Sequence, residues 1–212
     1  MLKYGYCLLF ICCASIISSC SSKNEDESEQ IFRDYQAFVA EVENDTVVTE
    51  IDLGNTWKMD TDTLQMLYDK YKNSISEHMS SYTPERQEEV NAFDDRLDVA
   101  FEERQKRYDE VSHRYELRKK LLGIEVSEDD LSNSINPSNI VATYENFVTT
   151  LEDNLDELDT RDWQLIEGWW SALRNRKQTI ESELQPAARE RISELEQTYK
   201  QIRSETLAAG EA

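Results

Sequence analysis

Four cysteines and two histidines are the side chains best suited to nucleophilic or metal chemistry, and their positions restrict both. Cys7, Cys12, Cys13 and Cys20 all lie within the first twenty residues, where Lys3 precedes an apolar run from Tyr4 to Ile17 and the small pair Ser18-Ser19. One positive charge, a short apolar stretch and small residues before a cleavage point form the order of an export signal. The run is shorter than the ~20 residues a bilayer span needs, and it ends in polar residues rather than a basic stop, which favours cleavage over a retained helix. Cleavage before Cys20 leaves that thiol to carry lipid. The exported remainder then holds no other cysteine for a disulfide, a zinc site or a nucleophile.

The histidines are His78 and His113, and Glu110-x-x-His113 has the i, i+3 spacing used by di-iron helical bundles. Such sites need two of these pairs and two further carboxylates, and no second pair exists, so His113 reads as a solvated helix-face residue and no metal is expected. The acidic clusters Glu25-Asp26-Glu27 and Glu128-Asp129-Asp130 lack the alternating donors and turn glycine of a calcium loop. No Gly-x-Ser-x-Gly or Ser-x-x-Lys motif occurs after the signal, so no catalytic residue is assigned. Gly54, Gly123, Gly168 and Gly210 are isolated, whereas a phosphate-cradling loop needs glycines in groups. No cofactor is expected.

Ile17-Ser18-Ser19-Cys20 resembles the lipobox of bacterial lipoproteins, an aliphatic residue and two small residues before cysteine. The resemblance covers the signal alone. It implies diacylglycerol on the Cys20 sulfur, cleavage before it, and acylation of the new amino terminus by a fatty acid such as palmitate. Ser21 stands where an inner-membrane retention aspartate would, which implies the outer membrane. Ser21-Ser22-Lys23-Asn24-Glu25-Asp26-Glu27 is similar to the Lys-plus-acidic tags of Bacteroidetes-type surface lipoproteins, and equally reads as a solvated tether. More than one acyl chain matters because each buried CH₂ contributes only ~0.8 kcal/mol.

The formal net charge is −21, and removal of Lys3 with the signal takes it to −22. A phosphate backbone requires clustered Lys and Arg, so nucleic acid is not an expected partner. An anionic membrane surface repels the domain as well. The expected membrane contact is the lipid on Cys20, with an acidic tether over 20–29 that could reach roughly 30 Å if extended.

The elements after the tether are helical by period. Ile31, Tyr35, Phe38 and Val42 share one stripe, as do Leu64, Leu67, Tyr71, Ile75, Met79 and Tyr82. Thr83-Pro84-Glu85 starts a third helix that runs to a left-handed cap at Gly123, ~39 residues and ~58 Å. Arg104 and Arg118 interrupt its seam, which predicts loose packing or partial exposure of its far half. The second half repeats the first. Tyr35, Phe38, Val39 and Val42 return as Tyr144, Phe147, Val148 and Leu151; Trp57 and Leu67 as Trp163 and Leu173; Pro84, Val90, Phe93 and Leu97 as Pro186, Ile192, Leu195 and Tyr199.

The expected fold is all-α: two tandem three-helix units over 30–122 and 138–209, antiparallel bundles joined by a linker over 123–137. Residues 45–55 are rich in β-branched side chains and read as an extended stretch or a loop along the bundle. Trp169 and Trp170 are adjacent and project about 100° apart, so Trp170 faces inward and Trp169 sits toward the edge of the buried face beside Gly168. Trp169 is then either a second core residue or a partly exposed anchor for a protein partner. The expected function is a lipid-anchored interaction or scaffold protein of the cell envelope. The competing readings are an enzyme using acidic residues in a cleft without a motif, and a structural spacer.

Overall fold

The computed structural model describes residues 21–45, 47–126 and 131–210, with side chains described between Glu27 and Thr206 apart from Leu131. Cys20 and the rest of the signal lie outside the described residues. Every regular element among them is helical, so the fold is all-α. The order is α1 (Ser21–Asn44), a 3-10 turn (Glu50–Asp52), α2 (Asn55–His78), a 3-10 turn (Met79–Ser81), α3 (Pro84–Leu122), α4 (Leu131–Ser134), α5 (Ile140–Asn154), a 3-10 turn (Leu155–Glu157), α6 (Thr160–Ile180), a 3-10 turn (Glu181–Glu183) and α7 (Pro186–Gly210). The segment 20–29 departs from the expected extended tether. It is helix from Ser21 onward, so it rises ~1.5 Å rather than ~3.3 Å per residue.

Two compact units divide the described chain, the first formed by residues up to 46 with 58–102, the second by 47–57 with 103 onward. The expected units, 30–122 and 138–209, place 47–57 and 103–122 with the first half instead. In the first unit Phe32, Tyr35, Phe38, Val39 and Val42 of α1 pack on Val90, Phe93 and Leu97 of α3, and α2 closes the core with Ile75. α1 and α3 run parallel, because the Tyr82 hydroxyl donates to the Ser28 carbonyl (2.8 Å) at one end and Arg96 pairs with Glu43 (2.7 Å) at the other. The Tyr35 hydroxyl donates to Asp94 (2.5 Å), and Lys72 of α2 pairs with the second oxygen of that carboxylate.

The second unit reuses the pattern. α5, α6 and α7 follow one another through the same two 3-10 turns, and Pro186 opens α7 as Pro84 opens α3. Tyr144 of α5 donates to Glu196 of α7 (3.4 Å), with Lys177 of α6 at 3.8 Å from that carboxylate, which reproduces the Tyr35, Asp94 and Lys72 arrangement. Burial, then the partner carboxylate, pushes both tyrosine hydroxyls well above the ordinary phenol range.

The apolar seam in the far half of α3 is half-buried at Phe101, Tyr108, Val111 and Tyr115, as expected, but Arg104 and Arg118 are not what leaves it open. Both are buried, Arg118 to 1% exposure. The Arg118 guanidinium meets Glu50, with Nη2 donating to Oε2 at 2.7 Å and Nη1 lying 2.7 Å from Oε1. Arg104 lies 4.0 Å from the centre of the Trp57 ring, whose indole stacks on Tyr108 at 4.4 Å. The two arginines therefore hold segment 47–57 against α3, where charge is accommodated by a carboxylate and an aromatic face. The described ends of segment 123–137 are likewise packed: Val126 and Ile135 are buried, and Arg176 donates to the Ile135 carbonyl (2.6 Å).

Gly123 is the left-handed cap that the sequence predicts, with φ of 68° and its N–H on the Lys119 carbonyl (3.0 Å). Asn146 of α5 completes the cap, donating to the carbonyls of Lys120 (2.7 Å) and Leu121 (3.0 Å).

Candidate functional site

The N-terminus of α6 begins with a reciprocal cap. Asp159 accepts from the N–H groups of Arg161 (2.7 Å) and Asp162 (2.9 Å), and the Asp162 side chain accepts from Asp159 N–H (3.1 Å). The Asp162 amide, then that of Arg161, lowers the Asp159 carboxyl below the ordinary aspartate range. This geometry fixes Asp162 at the third helical position, with its side chain 8% exposed.

The second oxygen of Asp162 faces α3. It lies 2.6 Å from Nε2 of His113, whose side chain is 60% exposed. An ionised carboxylate can only accept, so Nε2 is the donor and Nδ1 is the nitrogen left for other chemistry. On one side of this pair a cavity of about 420 Å³ is lined by Glu116, Leu117, Lys120, Leu151, Glu157 and neighbours. On the other, a cavity of about 520 Å³ is lined by Glu110, Arg114, Asp159, Arg161, Gln164 and Leu165 among others. Arg161 pairs with Glu110 across it at 3.3 Å.

A buried carboxylate that orients an exposed imidazole is half of an acid–base constellation. Glu116 and Glu157 line the first of these cavities and Glu110 and Asp159 the second, while the hydroxyl of Thr150 in the first donates to the Lys120 carbonyl at 3.3 Å. Among the described residues no group of three or more His, Cys, Asp or Glu side chains is arranged to hold a metal. The pair is well built to tie α3 to the start of α6.

The sequence places His113 on a solvated face, and the ring is indeed mostly exposed. Its partner 49 residues away is the missed part. The signal available was Asp159-x-x-Asp162, a capping box by spacing, but a cap does not announce which helix its spare oxygen will meet. Trp169 corrects the exposed-anchor expectation. It is 7% exposed and belongs to the core with Trp163, Ile166 and Trp170. Gly168 is exposed, and a Cβ added there would meet nothing within 4 Å, so no close approach within the chain explains the glycine.

The exposed apolar side chains lie elsewhere. Ile51 is 85% exposed and Val47 is similarly open, on the segment that Arg118 and Arg104 hold in place. Compared with known protein families, curated proteins and solved structures, the chain has no match in any of the three.

Proposed function

We propose that this protein is a lipid-anchored helical protein of the outer cell envelope that acts as an interaction or scaffold module. The observation that carries the reading is the lipobox Ile17-Ser18-Ser19-Cys20, placed directly before a helical chain of strongly negative charge. No helix among the described residues is long and apolar enough to cross a membrane, so the lipid on Cys20 supplies the attachment in this reading. The interaction role is supported by Val47 and Ile51, apolar side chains held facing solvent by a clamped segment, so that little ordering entropy opposes their burial by a protein partner.

The test is metabolic labelling with a radioactive fatty acid and membrane fractionation. The native chain should incorporate label and partition with the outer membrane, and Cys20→Ser should remain a longer, unlabelled precursor. A correctly shortened, membrane-bound Cys20→Ser product would refute the reading. A second reading, an enzyme working in the cavities beside His113, is favoured by the oriented imidazole alone. Loss of a measured turnover in His113→Gln with unchanged folding would move the balance toward it.

A further inference from the structure

We infer that the turn between α2 and α3, residues 78–84, is the end of the first unit that faces the membrane carrying the anchor. The inference rests on the lipid-anchor reading of Cys20 and adds an orientation to it. α1 begins at Ser21, the residue after Cys20, and contacts near its start tie it to the turn and to α3. The Tyr82 hydroxyl donates to the Ser28 carbonyl at 2.8 Å, and Arg86 pairs with Glu29 at 3.3 Å. Ser28 is seven residues from Ser21, ~10 Å along α1. The opposite end, marked by the Glu43–Arg96 pair, lies roughly 22 Å farther along α1 at 1.5 Å per residue.

The turn itself is uncharged, although Glu77 and Glu85 flank it and Glu29 adjoins it from the start of α1. His78-Met79-Ser80-Ser81-Tyr82-Thr83-Pro84 contains no Asp, Glu, Lys or Arg, in a chain that is 32% charged. The equivalent turn of the second repeat is Glu181-Ser182-Glu183, the same 3-10 turn before a proline-started helix but acidic. The repeat next to the lipid site thus carries the less acidic of the two turns. The turn is also preformed: Gln87 donates to the carbonyls of Met79 (3.0 Å) and Tyr82 (3.2 Å), and Ser81 to that of His78 (2.6 Å). Ser80 and Thr83 are exposed at its tip.

Because every natural cysteine lies at or before Cys20, a single introduced thiol can be labelled in the mature lipidated chain. Ser80→Cys places a fluorophore at the turn, Glu77→Cys provides a second label at that end, and Asp95→Cys places one beside Arg96. Each labelled protein is reconstituted into vesicles of phosphatidylethanolamine and phosphatidylglycerol bearing a headgroup quencher, with circular dichroism confirming the fold. The expected result is co-flotation of all three with severalfold stronger quenching at 80 and 77 than at 95. Co-flotation with equal quenching, or stronger quenching at 95, overturns the orientation and leaves the anchor intact. Failure of the native lipidated chain to float overturns the anchor reading and the orientation with it.

Discussion

Gly123→Ala should cost markedly more stability than Gly54→Ala, although both glycines occupy the left-handed region and both belong to the second unit. Their φ angles are nearly equal, 68° and 73°, so the backbone strain of an alanine is nearly the same, about 1–2 kcal/mol. Their surroundings differ. A Cβ at position 54 meets nothing within 4 Å, whereas one at 123 would stand 2.8 Å from Cγ of Asn146. Asn146 cannot retreat freely, because its amide caps the Lys120 and Leu121 carbonyls, and each such bond contributes about 0.5–1.5 kcal/mol. The expected losses are therefore about 1–2 kcal/mol for Gly54→Ala and about 2–4 kcal/mol for Gly123→Ala, the latter roughly 6–12 °C in melting temperature. All four tryptophans, 57, 163, 169 and 170, lie in the second unit, so tryptophan fluorescence during urea unfolding reads the unit that contains both substitutions. Asn146→Ala combined with Gly123→Ala should cost less than the two single changes added, because one removes what the other strikes. Equal losses for the two glycines, or strict additivity of the pair, would refute the argument that Asn146 is the obstacle.

Glu50→Ala should destabilise the second unit by about 3 kcal/mol, because it removes the carboxylate paired with a guanidinium that is 1% exposed; urea unfolding in which it behaves like a neutral surface change would contradict the buried pair. Trp169→Ala should cost ~3–5 kcal/mol, as expected of a core indole, and a near-native melting curve would return Trp169 to the surface. Tyr199 stacks on Trp170 at 3.9 Å, and burial pushes its hydroxyl from the ordinary 10 up to about 12. The neutral form is thus the one the fold favours, and its contribution is complete below pH 10 and lost as pH rises through 10 toward 12. Tyr199→Phe keeps the ring and cannot titrate, so it should flatten the loss of urea resistance over that interval by roughly 2–3 kcal/mol. An alkaline limb as steep as that of the native chain would exclude Tyr199 as its source.

Much of the fold is legible in the order of residues, because the features that encode it are local. The stripe Tyr35, Phe38, Val39, Val42 buries as its period requires, and Tyr144, Phe147, Val148 and Leu151 do the same in the second copy. Pro84 and Pro186 open helices, and Gly123 closes one, by rules that involve a single turn of chain. What was not legible depends on partners distant in sequence. Arg118 looks like an interruption of an apolar seam until Glu50, 68 residues away, is seen beside it. Trp169 has two plausible faces by helical projection, and only the packed core around it selects the inner one. The sequence places His113 on a helix face and singles out nothing at Asp162, so their pairing, 49 residues apart, has no local signal.

The long-range polar contacts also say why segment 47–57 is not a passive loop. A stretch of β-branched residues has little helix propensity to hold it, and alone it would be a mobile connection. Arg118 and Arg104, spaced fourteen residues apart on α3, meet it at Glu50 and at Trp57, and each contact gives a buried cation a favourable neighbour. Thr49 and Asp52 close a local capping box around the first of those points, the Asp52 carboxylate accepting from Thr49 N–H (2.6 Å) and hydroxyl (2.7 Å). The segment is thereby fixed at Glu50 and at Trp57, and the apolar side chains it turns outward are Val47 and Ile51. An interaction protein needs such rigidly presented apolar groups, since ordering a loop at the moment of binding would consume part of the free energy of contact. Replacing Glu50 should therefore weaken partner binding as well as stability, whereas Ile51→Asp should weaken binding alone. Equal loss of stability in the two variants, measured by urea unfolding, would show that Ile51 is held inward by the fold and presents nothing to a partner.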